Sequence, residues 1–316
     1  MANFDLTRRL AEEHGGKILM LVLDGVGGLP IQSGGPTELE AASTPNMDRL
    51  AREGSTGLSI PIARGIESGS GPGHLALFGY DPLVYDVGRG ALSAAGIGID
   101  IQPGDVAARG NFATVDENGV ITDRRAGRIS TEQGEAAVRS LKGITLPGVD
   151  LTVQEVKEHR FAIVLRGDDL DPRLHDTDPL EVGAKPLRAV PTPEAKDSQA
   201  AQHTADLVNE FIRQAGEKLK DHHPANFVNL RGFATDPELP KFQEVYKLNP
   251  ACVAVYPMYR GVSKLVGMDI IETDAHDTPL DEFERVAAVW DQYDFVFCHI
   301  KPTDSRGEDG MFDAKV

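Results

Sequence analysis

Cysteine is scarce, with two in 316 residues, which excludes a disulfide framework as the source of stability. Both thiols, Cys252 and Cys298, fall in apolar runs (251–255 and 295–300) and read as buried side chains in a reducing compartment. Long hydrophobic stretches are missing as well. The apolar run 18–23 is far too short for a bilayer, and the polar, charged opening lacks the pattern of a leader, so a cytoplasmic protein with no membrane partner is expected. Basic charge is in deficit: 32 Lys and Arg against 49 Asp and Glu give a formal charge of −17. Such a surface repels nucleic acid and anionic lipid, so a phosphate-bearing partner has to be small and met by local arginines or a metal. Repeats, heptads, a Walker A lysine and a Gly-x-Ser-x-Gly elbow are all absent.

The remainder is ordinary globular material, 41% hydrophobic and 26% charged, in a chain longer than one hydrophobic core usually serves, so two domains are expected. Residues 17–24 form a short continuous apolar run ended by Asp24-Gly25, the pattern of a strand buried on both faces of a parallel sheet. Residues 293–300 repeat that pattern and are again followed by acids, from Asp304 to Asp309. If both belong to one sheet, the middle of the chain is an insertion and the loops at the carboxyl ends of the strands share a crevice. Between them, 43–54 has the cap candidate, early proline, Met47/Leu50/Ala51 stripe and closing glycine of a helix. The glycine-rich stretch 65–73 feeds a short helix from His74. Strand-like pieces (110–115, 160–166, 226–230) then alternate with helices (132–141, 197–219), and Tyr256-Pro257 marks an exit from this second unit.

The residues suited to chemistry each admit two readings. Asp24 is either a turn-capping carboxylate or a ligand for a hard cation. Asp304 and Glu308 are either a solvated acidic turn or, at i,i+4 in a helix, converging ligands. Ser70, in Ser68-Gly-Ser-Gly-Pro-Gly-His74, has little steric cover; as a nucleophile it needs a metal or a base, and otherwise it belongs to a flexible loop. Arginines cluster at 124, 125 and 128, with Arg89, Arg109, Arg160, Arg166 and Arg231 elsewhere in the middle unit, either as a phosphate- or carboxylate-binding set or as surface ion pairs.

Taken in order, Leu23-Asp24-Gly25, Thr44-Pro-Asn-Met-Asp-Arg-Leu50, Ser70 before His74-Leu75, Phe78-Gly-Tyr-Asp-Pro82, Gly88-Arg-Gly90, Asn111-Phe-Ala-Thr114, Asp123-Arg-Arg-Ala-Gly-Arg128, Asp176-Thr-Asp-Pro179 and Asp304-x-x-Gly-x-Asp309-Gly closely resemble the cofactor-independent phosphoglycerate mutases, nearest to their archaeal-type branch. The resemblance runs from Lys17 to Lys315. It implies an alkaline-phosphatase-like α/β/α sandwich with a largely parallel sheet (1–86 and 261–316), interrupted by a smaller inserted α/β substrate domain (87–260). It further implies interconversion of 3-phosphoglycerate and 2-phosphoglycerate through a phosphoserine at Ser70, without 2,3-bisphosphoglycerate, in glycolysis and gluconeogenesis. Two divalent ions are implied, manganese first, with magnesium, cobalt or zinc as alternatives; Asp24, Ser70, Asp304 and Glu308 are their expected ligands. Arg124, Arg128, Arg160, Arg231 and Lys264 are the expected substrate contacts. The alternatives are a metal-dependent phosphatase on the same scaffold, or a non-catalytic homologue that binds phosphorylated metabolites.

Two departures from the family pattern bear on the site. Glu308 stands where many members carry histidine, which favours hard ions over zinc, and Gly71 follows Ser70 where an acid is common. The residues end at Val316, whereas the family carries a further carboxyl-terminal stretch with an Asp-His pair and another histidine; weak metal binding and negligible turnover are therefore expected of these residues alone.

Overall fold

The computed structural model describes residues 3–13, 15–66, 68–85 and 87–316. The chain divides into two compact units, Met1–Pro82 with Pro240–Val316, and Leu83–Leu239. The expected boundaries were 86/87, where residue 86 lies outside the described residues, and 260/261. The return to the first unit comes earlier, and the inserted unit is nearly equal to the first in length. Nine strands lie among the described residues: β1 (Ile18–Leu23), β2 (Val106–Val115), β3 (Ile121–Asp123), β4 (Val149–Lys157), β5 (Arg160–Gly167), β6 (Phe227–Ala234), β7 (Pro250–Ala254), β8 (Asp269–Ile270) and β9 (Phe295–Ile300). No described helix is long and apolar enough to cross a membrane.

The first unit is built on a sheet of order β1-β9-β7-β8, parallel at every pairing. The two apolar runs singled out in the sequence are neighbours, with Ile18 opposite Phe295 and Leu23 opposite Ile300. The earlier return follows from β7, which pairs with β9 from Pro250 to Ala254 and carries Cys252 in the sheet interior. Side chains alternate between the faces of β9: Val296, Cys298 and Ile300 meet Val286 of the helix Pro279–Val289. Phe297 and His299 point the other way, to His74, Phe78 and Tyr259. Every residue of β9 is buried, as expected, but β1 is not: it is an edge strand, and Leu19 remains 45% exposed. An apolar run permits burial on both faces, but neighbouring elements have to supply it. The helix Pro45–Glu53 forms with Pro45 in its first turn, yet its apolar stripe is uncovered and Leu50 is 62% exposed.

The second unit carries an antiparallel sheet of order β3-β2-β5-β4, with β6 on β2. Its core gathers Phe112, Phe161, Ile163 and Leu230 from the strands with Val138 and Leu141 of the helix Thr131–Leu141 and Leu207, Val208 and Phe211 of the helix Gln199–Leu219. The serines that precede these helices, Ser130 and Ser198, accept hydrogen bonds from the N–H groups of Gln133 and Ala201. Such caps satisfy donors that have no partner within the helix. Another helix, Arg89–Gly96, has all but its first residue buried.

Candidate active site

In the first unit, the parallel register of β1 and β9 brings Asp24 and the segment from Lys301 to Asp304 to the same end of the sheet. The Asp24 N–H donates to the Ile300 carbonyl at 3.0 Å, and the Thr303 hydroxyl donates to the Asp24 carbonyl at 2.5 Å. Asp304 then falls in the helix Pro302–Glu308. Close approach requires Gly25: its φ is +55°, and a Cβ there would lie 2.6 Å from Asp304 Oδ1 and 2.9 Å from its Cα. Asp24 and Asp304 are joined by Lys301, whose ammonium lies 3.0 Å from Asp24 Oδ2 and also donates to Asp304 Oδ2. Tyr259, from the helix Pro257–Leu265, donates its hydroxyl to Asp24 Oδ2 at 2.6 Å.

Burial alone would raise the Asp24 carboxyl, but the Tyr259 hydroxyl and the Lys301 ammonium together hold it below its ordinary range. Burial likewise opposes the charge on Lys301, and the two carboxylates outweigh it, raising its pKa. For Tyr259, burial and the neighbouring Asp24 carboxylate both act upward. The Tyr259 ring stacks on His299 with centroids 3.5 Å apart, and His299 Nε2 lies 3.7 Å from Asp24 Oδ2. Burial first, then His74 and Lys301, lower the His299 pKa to about 3, so it is neutral.

Ser70 opens the helix Ser70–Leu77, earlier than the expected start at His74, and its side chain is exposed. The first intrahelical bond runs from Gly73 N–H to the Gly69 carbonyl at 2.8 Å, so the N–H groups of Ser70 and Gly71 precede the helical ladder and suit an anion. His74 Nδ1 donates to the Ser70 carbonyl at 2.7 Å, and the ring lies against Tyr259 and His299, at 4.5 and 5.1 Å between centroids. Burial lowers the His74 pKa. Ser70 is thus connected to Asp24 through packing, and among the described residues no hydrogen bond joins its hydroxyl to either carboxylate. Glu308 is exposed at the end of its helix and makes no described contact with Asp24 or Asp304. Lys264 lies on the Tyr259 helix.

In the second unit, the arginines divide into two groups. Arg124 forms a bidentate pair with buried Asp178, at 2.8 and 2.7 Å, and Arg231 reaches Asp176 at 3.4 Å and Asp178 at 3.5 Å. These guanidiniums are thereby fixed by acids of the Asp176-Thr-Asp-Pro179 motif. Arg109, Arg125, Arg128 and Arg160 instead surround His159, a histidine 1% exposed whose pKa is lowered to about 3 by burial and then by these four cations. The Asp123 carboxylate shapes this loop by accepting from the N–H groups of Arg125 and Gly127, at 2.7 and 3.0 Å. Strand register adds Asn111, opposite Arg160 on β5 and opposite Asn229 on β6, to the same polar face.

No three described His, Cys, Asp or Glu residues meet closely enough to hold a metal ion as they stand. The donor set nevertheless fits a cation. Two carboxylates from distant segments already enclose one, the Lys301 ammonium, and the ring nitrogens of His299 and Nε2 of His74 are buried there without hydrogen-bond partners. Sequence reasoning missed Tyr259, His299, Lys301 and His159. His299 and Lys301 were discoverable as the end of the second apolar strand; Tyr259 and His159 become visible only through packing.

Residues 51–226 match the family described as 2,3-bisphosphoglycerate-independent phosphoglycerate mutase. A relative from Thermus thermophilus, named as a probable enzyme of that description, is 48% identical over 316 residues, covering 99% of this chain and 77% of its own length. The chain belongs to this mutase family. An Aquifex aeolicus member of the same name is 46% identical over 321 residues, with the same coverage. Among solved structures, the cofactor-independent phosphoglycerate mutase of Thermoplasma acidophilum is 31% identical with a TM-score of 0.63, over 95% of this chain and 82% of that one. A Pyrococcus horikoshii protein gives a TM-score of 0.75 at 29% identity, over 95% and 74%. The fold of this chain is accordingly that of the mutase family, and the family is one of isomerases.

Proposed function

We propose that this protein interconverts 3-phosphoglycerate and 2-phosphoglycerate in the cytoplasm, as a step of glycolysis and gluconeogenesis, by passing the phosphoryl group through Ser70. The observation that supports the reading is the position of Ser70: an exposed hydroxyl at a helix start, linked through His74 to the aromatic and acidic cluster around Asp24. Asp24 and Asp304 would hold divalent metal, manganese first, with Glu308 in reach only if its helix end rearranges. Bound there, the metal lowers the pKa of a hydroxyl it coordinates and offsets phosphoryl charge.

This chain's own residues do the remainder. Tyr259 orients Asp24 by donating to one of its oxygens, which leaves the other to face a ligand. The N–H groups of Ser70 and Gly71 donate to the oxygens of the transferred phosphoryl group. The Ser70 oxygen attacks phosphorus as the phosphorus–glycerate oxygen bond breaks, and the proton given up by Ser70 goes to that leaving oxygen; the second glycerate hydroxyl later attacks the phosphoserine, and its proton goes to the serine oxygen as the serine–phosphorus bond breaks. Arg128 and Arg160, with Arg109 and Arg125, are the guanidiniums assigned to the substrate's carboxylate and phosphate. Arg124 and Arg231 act through Asp178 as the frame of that loop. Lys264 is retained as a phosphate contact. A coupled assay on Ser70→Ala in an enzyme that carries the family's further carboxyl-terminal stretch tests the scheme: isomerisation is expected to fall by at least about a thousandfold, and substantial residual turnover would identify a different nucleophile.

A further inference from the structure

Lys301 occupies an unusual position for a residue beside two assigned metal ligands. It is the first residue after β9, in parallel register with Asp24 after β1, and its ammonium bonds one oxygen of Asp24 and one of Asp304. The rings of Tyr256 and Tyr259 add cation–π contacts at 5.5 and 5.9 Å from the ammonium. Asp24 Oδ1 and Asp304 Oδ1 take no hydrogen bond among the described residues. Two carboxylates this close repel each other unless a cation lies between them, and this chain supplies its own. Lysine suits an exchangeable role, because its point charge rides on a flexible stem and its side chain here retains 22% exposure, enough for the head to swing outward.

We propose that Lys301 is a resident counter-cation which holds Asp24 and Asp304 together in the metal-free protein, and that a divalent ion binding to the pair displaces its ammonium. The role rests on the assignment of Asp24 and Asp304 as metal ligands. It makes Lys301 a positioning residue that preforms the site while competing for it. Loss of the ammonium weakens the metal-free protein and strengthens ion binding together, a combination that a purely structural lysine does not produce. Arginine retains the charge and forks across both carboxylates, so it preserves the metal-free protein and resists displacement.

Manganese titration by calorimetry, thermal melting of the metal-free forms and acylation of lysine amines followed by mass spectrometry test the proposal on the full chain. Lys301→Met is expected to lower the metal-free melting temperature and to tighten manganese binding by about tenfold or more, and Lys301→Arg to keep the melting temperature and weaken binding. In the unsubstituted protein, saturating manganese is expected to increase acylation of Lys301. Manganese affinity in Lys301→Met equal to or weaker than in the parent, or acylation of Lys301 unchanged by manganese, overturns the displacement while leaving the metal assignment intact. If Lys301→Met fails to fold, the Lys301→Arg titration and the labelling decide by the same criteria. Absence of manganese binding to parent and variants alike overturns both the assignment and the inference.

Discussion

Glu282 lies on the helix Pro279–Val289 with 1% exposure, beside Cys252 and Cys298 and away from the candidate active site. Burial pushes its carboxyl up to about 7, against a hydrogen bond from the Val255 N–H and with a smaller push from Asp277. The folded protein therefore keeps a proton that the unfolded chain releases above pH 4.5, and the stability this brings is complete below that value and lost as pH rises through about 7. Glu282→Gln imitates the protonated form, so it is expected to stabilise the protein by roughly 1–3 kcal/mol more at pH 8 than at pH 5. Melting curves of parent and variant at the two pH values check this; equal shifts at both would show that the carboxyl does not titrate across the interval. Single residues also divide what the sequence disclosed from what it withheld. Asp24 and Asp304 are legible as candidates because Asp24 ends one apolar strand and Asp304 follows the other within four residues, a local pattern. The fixing of Arg124 and Arg231 by Asp178 is not, because those residues come together only when β6 and the loop after β5 pack on the turn after β3.

Elements were more legible in kind than in surroundings. The runs that became β1 and β9 were recognised as strands of one sheet, yet β1 lies at its edge, since periodicity reports what a strand tolerates on its faces and says nothing of how many neighbours arrive. In the sequence β7 reads only as an apolar run, so the expected exit from the second unit lies later than the return in the structure; five residues do not declare which sheet they join. The helix Arg89–Gly96 shows the same dependence on context. Gly90 lets it lie directly on β2, where an added Cβ would be 2.3 Å from the Ala107 carbonyl oxygen. Strand backbone cannot yield as a flexible side chain can, so Gly90→Ala is expected to cost about 2 kcal/mol or more. A urea midpoint for the second unit unchanged by the substitution would mean that the helix moves away from β2 freely.

At the scale of the molecule, residues 83–239 form a contiguous segment with its own sheet, helices and core. Expressed alone, this segment is expected to unfold cooperatively in urea; a gradual, non-cooperative loss of circular dichroism would show that its core depends on the first unit. The division into two units was legible from the return of the strand pattern late in the chain, although its boundaries depended on pairings that sequence does not print. The placement of the two cysteines has a practical corollary. Cys252 and Cys298 lie on adjacent strands of the first unit's sheet, and Trp290, the single tryptophan, packs against the core around Cys298. Thiol-reactive dyes and indole fluorescence are thus native reporters for one half of the protein only, and a denaturation curve recorded with either is blind to the loss of the arginine-bearing half.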